Sequence, residues 1–206
     1  MSKAKIVVLS GPSGVGKGTV HAALRESSTE FDLSVSVTTR APREGEVEGV
    51  HYFFRSQAQF DDMVQAGLFA EYARRYNNSY GTLRSELKRI VDSGKHVLLD
   101  IEYDGALNIK KAFPEAVLIF LLPPSLVELH SRILGRCSET PESLEARYSQ
   151  SVAEMEQYAG QYDYILVNDN LAECVQKVNE IVRAEQARVC NNLDLIKDLK
   201  GGKRIC

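Results

Sequence analysis

The chain reads as an α/β protein, a parallel sheet flanked by helices and interrupted by one inserted segment. Three observations predict this. The runs "KIVVLS", "KHVLLDIE" and "AVLIFLLPP" are almost wholly apolar, as strands covered on both faces are. Amphipathic, helix-length segments lie between and after them. The stretch from about residue 35 to 84 breaks that alternation with polar loops and short alternating runs.

The elements follow in order. Lys5–Ser10 is the first buried strand, and a helix runs from Lys17 to about Ser27. "DLSVSVTTR" is expected to form one second strand, leading into the polar loop "APREGEVEGVHYF". Ser56 opens a capping-box pattern, "SQAQ", for a helix that stops at Gly67. "LFAEYARRY" alternates as a strand, and "TLRSELKRIVDSG" is a helix ending at Gly94. "KHVLLDIE" and "AVLIFLLPP" are the other two buried strands, and Pro123 and Pro124 close the latter. "SLVELHSRILGR" and "TPESLEARYSQSVAEMEQYAG" are helices, "YDYILVND" is a strand, and "LAECVQKVNEIVRAEQARV" is the last helix. The tail "NNLDLIKDLKGGKRIC" is weakly patterned and is expected to be mobile.

Composition narrows the class. The chain has 206 residues, 44% hydrophobic and 26% charged, with a net charge of −3, so it is long enough for a real core. Nothing in that balance favours nucleic acid or an anionic membrane as partner. No stretch is long and apolar enough to span a bilayer, and the first apolar run is too short for a signal peptide. The four cysteines, Cys137, Cys174, Cys190 and Cys206, form no metal-ligand spacing and suit a reducing cytoplasm better than a disulfide framework.

The most specific local signal is Gly11–Pro12–Ser13–Gly14–Val15–Gly16–Lys17, which fits the GxxxxGK phosphate loop in the required context of strand before and helix after. Glycines let successive N–H groups curl round an anion, and the helix N-terminus adds its dipole. Lys17 supplies a point charge for phosphate oxygens. Gly18 stands where many such loops carry a hydroxyl, and the next hydroxyl is Thr19. Direct protein ligation of Mg²⁺ is therefore not expected, since this ion keeps waters readily and is held by phosphates.

Other residues carry weaker signals. Asp100 ends an apolar strand at the carboxyl edge of the sheet, where α/β sheets bind ligands. Arg132 and Arg136 lie four apart and share a helix face, with Arg147 beyond the next loop. Ion pairs of these arginines with Glu128 or Glu145 are the plainer alternative. Arg40 and Arg43, read alone, suit a solvated loop face, Glu71 a strand-surface charge, and Asp104 a helix cap.

"SVSVTTRAPREGEVEGVHYFF", "EYARRYNNSYGT", "LLDIEYDGA", "LGRCSETPESLEAR" and "ILVND" occur in the order and approximate spacing of guanylate kinases. The "TTRxPRxGExxGxxY" element is the most specific, and the resemblance covers residues 4–184. It implies a P-loop nucleoside monophosphate kinase fold with a GMP-binding subdomain over about 35–84, a helical lid over about 125–157 and a C-terminal tail over 185–206. It implies ATP bound by Gly11 to Thr19 and by Asn168. It implies GMP or dGMP bound by Ser36, Arg40, Arg43, Glu46, Tyr52, Glu71, Tyr80, Gly81, Thr82 and Asp100. Lys17, Asp100, Arg132, Arg136 and Arg147 take the catalytic roles by the same resemblance, with Mg²⁺ as cofactor. Glu102 shares the "DIE" segment, where relatives often carry an acid, and Asp104 is assigned no role.

The chemistry expected is direct transfer of the ATP γ-phosphoryl group to a GMP phosphate oxygen. That oxygen is largely deprotonated near neutral pH, so no general base is needed, and His21, His51, His96 and His130 are expected to be structural. A non-catalytic guanylate-kinase-like binding module is the alternative from another class, and a kinase for a different monophosphate is a third. The last helix and tail leave a homodimer contact open.

Overall fold

The computed structural model describes residues 4–75, 77–134 and 141–202. Its core is a five-stranded sheet of order β2-β7-β1-β8-β9, built from β1 (Ile6–Ser10), β2 (Phe31–Leu33), β7 (His96–Leu99), β8 (Val117–Leu122) and β9 (Tyr164–Val167). Every pairing in it is parallel. β1 lies at the centre, where the chain order reverses, so the crevice past its carboxyl end is the expected ligand position. The apolar runs read from the sequence form β1, β7 and β8, and their residues Val7, Val8, Leu98, Leu118 and Ile119 have no exposed surface.

Helices cover both faces. α1 (Lys17–Ser27) and α7 (Leu171–Gln186) pack on one face through Val20, Leu24, Cys174, Val178 and Val182. α3 (Arg84–Asp92) and α4 (Tyr103–Ala112) pack on the other through Leu87, Ile90, Ala106 and Ile109. α5 (Leu126–Leu134) follows β8, and α6 (Pro141–Tyr158) returns to the core. There Tyr158 stacks on Tyr103 with ring centroids 4.6 Å apart and planes 3° from parallel. Among the described residues no helix is long and apolar enough to cross a membrane.

A second, four-stranded sheet has the order β4-β3-β6-β5, from β3 (Ser36–Thr38), β4 (Tyr52–Phe54), β5 (Phe69–Arg75) and β6 (Asn78–Leu83). α2 (Gln57–Gln65) packs on it through Phe60, which stacks on Phe69 at 4.6 Å in a small cluster with Val37. The capping box at Ser56 forms as read: its hydroxyl accepts from Gln59 N, and the Gln59 side chain accepts from Ser56 N.

The chain crosses between the sheets twice. The first crossing splits "DLSVSVTTR", expected as one strand, into β2 in the core and β3 in the second sheet. Ser34 N still bonds Leu98 O at 3.0 Å, but Val35 N turns to the Glu86 carboxylate at 3.4 Å. The second crossing is Leu83–Arg84, where β6 becomes α3 and Arg84 N donates to Leu68 O at 3.0 Å. Glu86, in the first turn of α3, is nearly buried and forked by Arg89 at 3.0 Å to each oxygen, so one carboxylate ties the two crossings together.

Two strands, β4 and β6, stand where a loop and a helix start were read. β4 is only three aromatic residues long and β6 is made largely of small and polar residues, so periodicity could not mark them. The tail differs more. The helix expected to reach Val189 ends at Gln186, and the weakly patterned residues after it form α8 (Val189–Lys200). Asn191 and Asn192 hold the corner by donating to Glu185 O and Gln186 O, both at 2.7 Å, which satisfies the last carbonyls of α7.

Because the second sheet has its own apolar cluster, damage there should stay local. Phe60→Ala is expected to cost about 3–5 kcal/mol of stability. Hydrogen exchange should show lost protection across β3 to β6, with β1, β7 and β8 still protected.

Candidate active site

The loop between β1 and α1 curls at the carboxyl edge of the core sheet. Gly16 sits at φ 95°, and a Cβ there would stand 2.6 Å from the Asn168 amide nitrogen, so this position admits only glycine. Asn168, at the end of β9, is 6% exposed and donates to Val15 O at 2.8 Å. Arg132 from α5 reaches the same carbonyl at 3.4 Å and Asn168 O at 3.3 Å. The loop's crest is thus held from two separate elements.

Lys17 opens α1 and donates to Gly11 O at 2.7 Å and Pro12 O at 3.3 Å, which keeps its ammonium over the loop. α1 has no acidic residue in its first turn, so nothing there offsets the positive end of its dipole. A Cβ on Gly18 would meet nothing within 4 Å, so space does not demand glycine at that position. Thr19 is exposed.

Arg132 also donates from Nε to Glu128 at 2.9 Å, the ion pair read as its plainer alternative. Its guanidinium spans α5, the loop crest and the end of β9. Arg147 lies half-buried on α6. Arg136 lies outside the described residues.

Asp100 follows β7 and is exposed at the sheet edge. His21, one turn along α1 from Lys17, places Nε2 3.9 Å from the Asp100 carboxylate. Neither ring nitrogen of His21 has a hydrogen-bond partner, and burial holds its pKa below the ordinary imidazole value, against the pull of Asp100. His21 is neutral near pH 7, consistent with a structural role.

The second sheet turns a group of polar side chains toward this edge. Arg40 forks onto Glu46 at 2.7 and 2.9 Å and lies 5.5 Å over the Tyr52 ring. Glu46 also accepts from Arg43 N at 2.8 Å, and these bonds hold its carboxyl down at about 2. The Arg43 side chain is exposed. Tyr52 packs edge-on to Tyr80 at 6.3 Å. Burial raises the Tyr52 hydroxyl pKa, and the negative charge of Asp100 adds to that rise, so the two sheets meet electrostatically here.

Deeper in the same sheet, Glu71 is 7% exposed. The β5–β6 register shifts between Phe69 and Glu71, leaving Ala70 as an extra residue in a bulge. Glu71 then pairs directly with Thr82, whose hydroxyl donates to Oε1 at 2.6 Å. Ala70 enters the core cluster of α3 and α4. Burial raises the Glu71 pKa, and the Thr82 hydrogen bonds oppose the rise. Ser36 begins β3, half-buried, and Gly81 lies opposite Tyr72 in the β5–β6 ladder. Sequence reasoning missed the contact of Asn168 with the loop crest and the bulge at Ala70. Neither has a local residue signal.

A parallel sheet with a phosphate loop at its switch point, faced by an arginine–tyrosine cluster on an inserted sheet, defines a P-loop kinase. The guanylate kinase family model matches residues 3–185. The guanylate kinase of Halalkalibacterium halodurans is 47% identical over 186 residues, covering 90% of this chain and 91% of that one. That of Clostridium acetobutylicum is 45% identical over 201 residues, covering 98% and 95%. A crystal structure of guanylate kinase from Anaplasma phagocytophilum superposes with a TM-score of 0.78 at 33% identity, covering 99% and 98%. The chain belongs to the guanylate kinase family. The SH3-kinase fragment of tight junction protein 3, at 15% identity and TM-score 0.50, shares the fold.

The buried neutral His21 makes the loop helix sensitive to acid. Its lowered pKa means the unfolded chain takes up the proton first, so stability is complete above about pH 6.5 and falls below it. In thermal melts between about pH 7 and pH 5, His21→Leu is expected to flatten that fall.

Proposed function

We propose that this protein transfers the γ-phosphoryl group of ATP to GMP, and to dGMP, reversibly, giving ADP and GDP or dGDP. The observation that carries this is Glu71: a carboxylate removed from water, aimed by a bulge and held by Thr82. A buried carboxylate left with one partner is costly, so it favours a ligand with donors to offer. Guanine presents N1–H and the 2-amino group side by side, and adenine lacks that pair. Ser36 and Gly81 complete the acceptor-base site in this reading.

The acceptor phosphate suits the cluster on β4, β6 and the loop after β3. Arg40 and Arg43 meet its charge, and Tyr52 and Tyr80 add hydroxyl donors. Glu46 acts by aiming Arg40 and pinning the Arg43 backbone. On the donor side, the loop from Gly11 to Thr19 and Lys17 hold the ATP phosphates, with Asn168 near the adenine as well as under the loop.

Transfer is an in-line displacement. A deprotonated oxygen of the GMP phosphate forms a bond to the γ-phosphorus, and the bond to the β-bridging oxygen breaks. ADP leaves with the electron pair. A phosphate monoester has its second pKa near 6, so no side chain need take a proton. Lys17, Arg132, Arg136 and Arg147 meet the charge spread over the transferring group. Asp100 orients water or the acceptor at the sheet edge.

Among the described residues, no group of three carboxylate, histidine or cysteine side chains gathers to hold a metal ion. The oxygen donors at this edge, Thr19 and Asp100, are exposed. This set fits Mg²⁺ carried on the nucleotide phosphates with waters retained, with Thr19 and Asp100 reaching it through those waters. Bound there, the ion supplies charge neutralisation.

A coupled assay with ATP and each of GMP, dGMP, IMP, AMP and CMP tests the reading. Turnover is expected with GMP and dGMP and to vanish with EDTA. Glu71→Gln should cut kcat/KM for GMP by about tenfold or more while leaving the KM for ATP within about twofold. Equal turnover with AMP, or none with GMP, would refute it.

The same carboxylate predicts a pH dependence. Its raised pKa means that acid protonates it before an exposed glutamate and removes an acceptor that guanine needs. The KM for GMP is expected to rise as pH falls toward the ordinary glutamate range and beyond. Glu71→Gln should keep only the part of that dependence that protonation of the GMP phosphate near pH 6 contributes, which a pH series of initial rates on both proteins would read.

A further inference from the structure

Gly105 is the third residue of α4 and is buried. A Cβ built on it would stand 2.8 Å from Glu71 Oε2 and 3.3 Å from Glu71 Cδ. Real Cβ atoms essentially never come within 3.0 Å of a non-bonded heavy atom of another residue, so a side chain here must displace that carboxylate. Glu71 has little freedom to give way. Its other oxygen is fixed by Thr82 at 2.6 Å, and it is 7% exposed. Ala70, beside it in the bulge, is committed to the core cluster with Ala106. At Gly105 alone, the first turn of α4 therefore presents no side chain where β5 sets the Glu71 carboxylate against it.

Nothing in Gly105's backbone requires glycine. It lies inside a helix, where glycine costs about 0.5–1 kcal/mol relative to alanine. It is not among the glycines with positive φ. The close approach of Glu71 is what the missing side chain permits.

We propose that Gly105 is a positioning residue for acceptor choice: its missing side chain leaves the space in which Glu71 stands, and so sets where that carboxylate meets the base. The inference rests on Glu71 reading guanine, as argued above. An alanine at 105 pushes the Glu71 carboxylate either off Thr82 or into the room meant for the base. In both cases one of the two donors of guanine loses its partner. The loss then falls on the 2-amino group and N1–H, and the ATP side is untouched.

The test is a double-mutant cycle in the full-length enzyme: wild type, Gly105→Ala, Glu71→Asp and the pair, each with GMP and with IMP. IMP keeps N1–H and lacks the 2-amino group. Gly105→Ala is expected to raise the KM for GMP by about tenfold and to narrow the preference for GMP over IMP. The KM for ATP should stay within about twofold. Aspartate is one methylene shorter and clears the added methyl, so the double variant is expected to be no worse on GMP than Glu71→Asp alone.

If the two losses multiply, or if Gly105→Ala leaves the KM for GMP and the base preference unchanged, the proposal is overturned. Should Gly105→Ala not fold, the double variant decides: a folded, active protein supports the contact, and an unfolded one overturns it. Glu71→Gln separates the underlying reading. If that variant keeps the full preference for GMP over IMP, Glu71 does not read the base, and the proposal falls for that reason instead.

Discussion

One carbonyl oxygen organises the phosphate-loop edge of this protein. Val15 O, at the crest of the phosphate loop, accepts from Asn168 at the end of β9 and from Arg132 on α5. A phosphate loop works by presenting backbone N–H groups in a fixed arc, and an arc of glycines has little stiffness of its own. The stiffness comes from outside. Asn168 approaches so closely that Gly16 cannot carry a side chain, and Arg132 is aimed by Glu128. The arginine expected as a charge for the reaction is therefore also a strut between a helix, a loop and a strand end.

The second sheet follows a different logic. There the fold pairs polar groups with one another, with Glu71 buried and Arg40, Glu46 and Tyr52 half-buried. Glu71 has Thr82, Arg40 has Glu46, and Tyr52 lies under Arg40 and feels Asp100. Such groups favour a ligand that completes them and disfavour one that cannot. The bulge at Ala70 shifts the register so that Glu71 stands opposite Thr82, while Ala70 joins the core cluster.

The sequence was most legible where one residue type has one physical reason to be present. Glycines mark the phosphate loop, uninterrupted Val, Leu and Ile mark β1, β7 and β8, and Ser56 with Gln59 marks a helix start. It was least legible where structure comes from pairing at a distance. β4 and β6 have little apolar pattern of their own, so their strand character depends on pairing, β4 with β3 and β6 with β5 and β3. The bulge has neither glycine nor proline to announce it. Glu71 read alone looks like a surface charge, and only the resemblance singled it out. α8 was read as a loose tail because its helix depends on Asn191 and Asn192 meeting the end of α7.

The two chain crossings have a geometric consequence. The second sheet is joined covalently to the core at Ser34–Val35 and at Leu83–Arg84, and Glu86 ties the two places together. Two fixed points define one line. A rigid displacement of the sheet that leaves both junctions intact is a rotation about that line. The placement of the second sheet against the core is thus described by a single angle rather than by the full set of coordinates of a free body.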